Sequence, residues 1–108
     1  MIDPRATAAL KGTIYLSGPI TGVPDFKLRF RVAEETVRTL HQPHRILSPV
    51  IFPAGWTYDH YMEHCLIMVR RSTAVIMLPD WQASPGARTE RTYAQSLKIP
   101  IFNLPPRS

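Results

Sequence analysis

The chain has one cysteine, Cys65, in 108 residues. An internal disulfide is therefore excluded, and the expected setting is a reducing cytoplasm. No apolar run approaches the roughly 20 residues that span a bilayer. The start, Met1-Ile2-Asp3-Pro4-Arg5, has no signal-peptide pattern. Residues 1–11 are expected to be a loose extension and 105–108 a tail, around one domain. Charge is modest at 19%, against 44% hydrophobic residues, an ordinary globular balance. The net charge is +5, from 13 basic and 8 acidic residues. The basic residues are scattered, from Lys27 and Arg29 to Arg88 and Arg91, with no aromatic interleaving. That argues against a nucleic-acid partner, although a DNA-associated accessory role is the third reading the charge allows.

What the chain does have is proline, eleven in all. Most stand at element junctions: Pro19, Pro24, Pro49, Pro53, Pro79, Pro85 and Pro100. Between them, Thr13-Ile14-Tyr15-Leu16 reads as a first buried strand. Phe26, Phe30, Ala33, Val37 and Leu40, at spacings of three and four, read as the buried stripe of a helix starting at Pro24-Asp25. Arg45 to Ser48 is a short second strand. Asp59 to Arg71 is a second helix, with Tyr61, Cys65 or Leu66, Met68 and Val69 as its apolar face. Thr73 to Leu78 has no polar alternation, the mark of a central parallel strand. A helix follows from Ser84-Pro85-Gly86 to about Lys98, and Pro100 to Leu104 is the last strand.

Alternating strands and helices imply an α/β three-layer sandwich, Rossmann-like or flavodoxin-like, with a parallel sheet. Four strands in the order 2-1-3-4 are expected, with a fifth as the alternative. That order places the loops after Leu16 and after Leu78 side by side, where such sheets bind ligands. Ser17 to Gly22, Asp80 and Glu90 would converge there. The loop Ser17-Gly18-Pro19-Ile20-Thr21-Gly22 is neither a dinucleotide fingerprint nor a Walker loop. His60 and His64 are four apart, but two ligands make a weak metal motif, so no metal and no cofactor is expected. Trp56, in the apolar loop Val50 to Trp56, is a candidate for stacking on a base or for a subunit contact.

Two stretches resemble a known superfamily. Tyr15-Leu16-Ser17-Gly18-Pro19-Ile20-Thr21-Gly22 is similar to the opening strand and loop of the nucleoside 2-deoxyribosyltransferases. Ser84-Pro85-Gly86-Ala87-Arg88-Thr89-Glu90, with Tyr93-Ala94 and Ile99-Pro100, resembles their nucleophile helix. The likeness runs over about residues 13–104 and is nearest to small phage-associated proteins of the DUF4406 type. It implies a flavodoxin-like fold and a homo-oligomer, a dimer or larger. It also implies a nucleophilic Glu90 attacking an anomeric carbon, with Tyr15 orienting it. Ser17, Gly18, Pro19, Ile20, Ser84 and Gly86 would hold the sugar or a 5′-phosphate. The implied function is an N-glycosidase or deoxyribosyltransferase acting on a small nucleoside or its 5′-monophosphate. The alternative is a catalytically weak nucleotide-binding module of phage origin. One departure bears on that choice. Relatives carry an aspartate on the second helix, before a leucine, where this chain has Cys65 before Leu66. Asp80 is then the candidate acid.

Overall fold

The computed structural model describes residues 4–51 and 55–104. Its elements in chain order are α1 (Pro4–Lys11), β1 (Thr13–Ser17), α2 (Phe26–His41), β2 (Arg45–Leu47), α3 (Tyr58–Arg70), β3 (Ala74–Met77), α4 (Pro85–Ser96) and β4 (Ile101–Asn103). Single 3-10 turns occupy Pro49–Ile51 and Trp81–Ala83. The four strands form one sheet in the order β2-β1-β3-β4, and every pairing is parallel. This is the flavodoxin-like arrangement expected from the alternation of strand and helix. Among the described residues there is no fifth strand.

Strand pleating sorts the core into two layers. Ile14, Leu16, Ala74, Ile76 and Leu78 join Phe30, Ala33 and Val37 of α2, and Leu10 of α1, on one face. Tyr15, Val75 and Met77 join Cys65 and Val69 of α3, and Ala87 and Ala94 of α4, on the other. Both faces of β3 are covered and all four of its residues are buried, as its unbroken apolar run requires.

Three expectations are corrected. Residues 4–11 are not a loose extension but a helix. Leu10 enters the core, and the Thr73 hydroxyl donates to the Ala9 carbonyl at 2.7 Å. A helix of eight residues leaves little periodicity to read. Leu40 does not belong to the buried stripe of α2; it is 63% exposed. A 16-residue helix is about 24 Å long, whereas strands of three to five residues reach roughly 10–17 Å, so the last turn overhangs the sheet. The buried face of α3 is Met62, Cys65 and Val69, with Tyr61 and Met68 only half-buried beside it. Part of the loop Val50 to Trp56, residues 52–54, and the expected tail 105–108 lie outside the described residues.

The switch point is built tightly. Ser17 pairs in register with Met77, and the Leu78 N–H donates to the Ser17 carbonyl at 2.7 Å. A Cβ on Gly18 would stand 2.8 Å from the Leu78 Cβ, closer than two carbons tolerate. Gly18→Ala is therefore expected to cost about 1–3 kcal/mol through overpacking, read as a lower urea midpoint at unchanged slope.

Candidate active site

Glu90 is a charged residue in an apolar layer, and its surroundings follow from the local sequence. Ser84 caps α4: its Oγ accepts the Ala87 N–H at 3.2 Å. Pro85 occupies the first helical position, where a missing N–H costs nothing. The helix so started turns Ala87, Glu90 and Ala94 inward. Two small alanines flank the glutamate and let α4 lie close to β1 and β3. Glu90 is consequently only 4% exposed.

Its carboxylate meets the end of β1. The Ser17 hydroxyl donates to Glu90 Oε1 at 2.6 Å, a buried bond across 73 residues of sequence. Tyr15 projects to the same face, two residues earlier on the strand. From α3, Cys65 completes the group, with Tyr61 one helical turn before it. Burial pushes the Glu90 carboxyl up to about 7, and Ser17, Tyr15 and Cys65 pull in the opposite direction. Burial, then the neighbouring Glu90 charge, pushes the Cys65 thiol up to about 12. Burial likewise raises both phenols, Tyr15 and Tyr61, well above the ordinary range. The Tyr15 hydroxyl is fully enclosed near Glu90 and Cys65 but closes no hydrogen bond of proper geometry. At neutral pH the group thus contains one titrating member, Glu90, among neutral hydroxyls and a neutral thiol.

The structure brings together Glu90, Tyr15 and Ser17, and adds Cys65 and Tyr61. Ser17 is spent on the carboxylate itself. Gly18 packs against Leu78. Ile20 joins the α1/α2 layer. Pro19 lines a cleft of about 440 Å³ with Arg29, Leu78 and Asp80, on that same layer. Asp80 is exposed and stands 3.8 Å from Arg29, itself bonded to Asp25 at 3.0 Å. It is not among the groups acting on Glu90. Ser84 and Gly86 mark the start of α4, one turn from Glu90. A Cβ on Gly86 would lie 3.3 Å from the Met62 sulfur and 3.6 Å from the Tyr58 hydroxyl. Trp56 stacks on His60 with ring centroids 4.2 Å apart. Tyr61 was legible only once Cys65 had been placed on the site face, since residues four apart share a helix face.

Among the described residues, no three His, Cys, Asp or Glu side chains gather as a metal site. Nor is any helix there long and apolar enough to cross a membrane. No curated protein matches the chain. The family model described as "Domain of unknown function (DUF4406)" matches residues 12–103, and the chain belongs to that family.

Proposed function

We propose that this protein is an N-glycosidase or deoxyribosyltransferase-like enzyme that uses Glu90 as its nucleophile on a small nucleoside or nucleoside 5′-monophosphate. The observation that carries the reading is the buried Glu90 carboxylate, aimed at the carboxyl end of a parallel sheet and held by Ser17 at 2.6 Å. A carboxylate excluded from water is a competent nucleophile toward an oxocarbenium-like carbon, and a covalent glycosyl ester divides a hard step into two. Ser17 fixes the orientation of the carboxylate through the oxygen it donates to. The start of α4 lies on the same side, with the Gly86 N–H one turn before Glu90, and the positive end of the helix favours a 5′-phosphate there. Water then hydrolyses the ester, or an acceptor base takes the sugar.

The test is base release from a panel of ribo- and deoxyribonucleosides and their 5′-monophosphates, wild type beside Glu90→Gln. Release by wild type is expected, with the variant down at least ~10²-fold, since the covalent route is closed to an amide. Equal turnover by the two proteins would refute the role given to Glu90. A second reading, a binding module without chemistry, is favoured by Cys65: a thiol near 12 is no proton donor to a leaving base. We further propose a homo-oligomer, supported by Leu28, Leu40, Tyr58 and Leu97, large apolar side chains left exposed.

A further inference from the structure

We infer that the substrate is an N-glycoside whose base is already cationic at the glycosidic nitrogen, such as an N-ribosylated pyridinium or an N7-alkylated purine. This rests on the nucleophilic reading of Glu90 and names the substrate class for the same site.

The argument is an inventory of acids. Breaking the C1′–N bond of a neutral nucleoside leaves an anionic base unless a proton is supplied. Positioned acids contribute ~10²–10⁴-fold to such steps. The chain has 8 acidic residues, and the structure disposes of those other than Glu90. Asp25 and Asp80 both face Arg29, at 3.0 and 3.8 Å, and Asp80 is not among the groups acting on Glu90. Glu34 is bonded to Arg38 at 2.8 Å, and Glu35 is an exposed residue of the same helix. Asp59 and Glu63 are exposed on α3, off the face that carries Cys65. Asp3 lies outside the described residues. Of the four histidines, His41 and His44 bracket the turn after α2. His60 stacks on Trp56, and His64 lies tilted against the same ring. What surrounds Glu90 is hydroxyl and thiol: Ser17, Tyr15 and Cys65. The site holds a nucleophile and, among the described residues, no acid to match it.

A cationic base needs none. Glu90 Oε attacks C1′ and forms the ester bond. The C1′–N bonding pair returns to nitrogen, cancels its positive charge, and the base departs neutral. Water then attacks C1′, the carboxylate is restored, and one proton is released to solvent. Hydrolysis therefore yields one proton per turnover at the glycosidic step. Scattered Arg and Lys, at net +5, suit a phosphate on such a substrate.

The experiment compares wild-type kcat/KM for nicotinamide riboside, its 5′-monophosphate and 7-methylguanosine with that for inosine, guanosine, cytidine and their deoxy and 5′-phosphate forms. Proton release is followed in weak buffer, and base by chromatography. The expected result is at least a 10²-fold preference for the cationic set, abolished in Glu90→Gln. Comparable rates on neutral nucleosides, still sensitive to Glu90→Gln, would overturn the inference and leave the glycosidase reading standing. Silence on both sets would overturn both. If Glu90→Gln fails to fold, a series of ring-substituted N-ribosylpyridiniums on wild type alone decides. Rates falling as leaving-group basicity rises support unassisted departure, and a flat series overturns it.

Discussion

Glu90→Gln is expected to be more stable than wild type above neutral pH, by about 3 kcal/mol. The sign follows from proton binding. The Glu90 carboxyl is raised from 4.5 to about 7 in the folded chain. Below 4.5 it is protonated folded and unfolded alike, and contributes nothing. Between 4.5 and 7 the unfolded chain gives up its proton first, so the folded state binds more protons and stability falls as pH rises. Above 7 both states are ionised and the whole cost of burying the charge remains. At 1.36 kcal/mol for each tenfold change in proton affinity, the difference between about 7 and 4.5 is worth about 3 kcal/mol. Glutamine has the same shape and keeps an oxygen to accept the Ser17 hydroxyl, but carries no charge to bury. Urea titrations at pH 4.5, 6 and 8 should show the two proteins converging at the lowest pH and diverging above it. At pH 8 the gain corresponds to a Tm on the order of 10 °C higher. A difference that ignores pH, or a variant weaker than wild type at pH 8, would rule out a carboxylate held at that cost. A protein that keeps such a residue gives up stability to hold a buried carboxylate.

The sheet was readable because its determinants are local. Prolines bound the strands, β3 is apolar at every position, and the parallel order follows from helices between strands. Glu90 and Tyr15 were readable for a related reason: each stands in a short motif whose geometry, strand end or helix start, is set within a few residues. The direct bond from Ser17 to Glu90 was not readable. It spans 73 residues and depends on how deeply α4 settles, which Ala87 and Ala94 decide by their small size. The direction in which Asp80 leaves the sheet was not readable either, because a short loop carries no periodicity to fix it. Here Asp80 takes a left-handed backbone, φ 68°, and its carboxylate turns to Arg29. Residues 4–11 were missed because a helix of eight residues is too short for a readable stripe, and among its described side chains only Leu10 is buried.

The absence of an acid beside Glu90 gives the other large effect. Cys65→Asp is expected to raise turnover of neutral nucleosides by ~10²–10⁴-fold, the usual contribution of a positioned acid, with much less effect on cationic ones. Cys65 is fully buried within reach of Glu90, so the new carboxyl would share the pocket with another. Two such groups cannot both ionise cheaply, and the pair holds one proton to higher pH than either would alone. That shared proton is what a departing base requires. The same crowding makes a cost in stability certain above neutral pH, where the second proton is lost and two charges are buried together. The variant should therefore show a turnover optimum that falls off on the alkaline side, unlike wild type, in which the nucleophile proposed above only gains as Glu90 ionises through about 7. Cys65→Asn separates proton donation from shape: it fills the same space with hydrogen-bonding groups but gives up no proton, and should leave neutral nucleosides as slow as wild type does. Equal gains from Asn and Asp would mean that Cys65 limits the reaction by packing and not by failing to protonate. No gain from a folded Asp variant would place the leaving base away from α3 altogether.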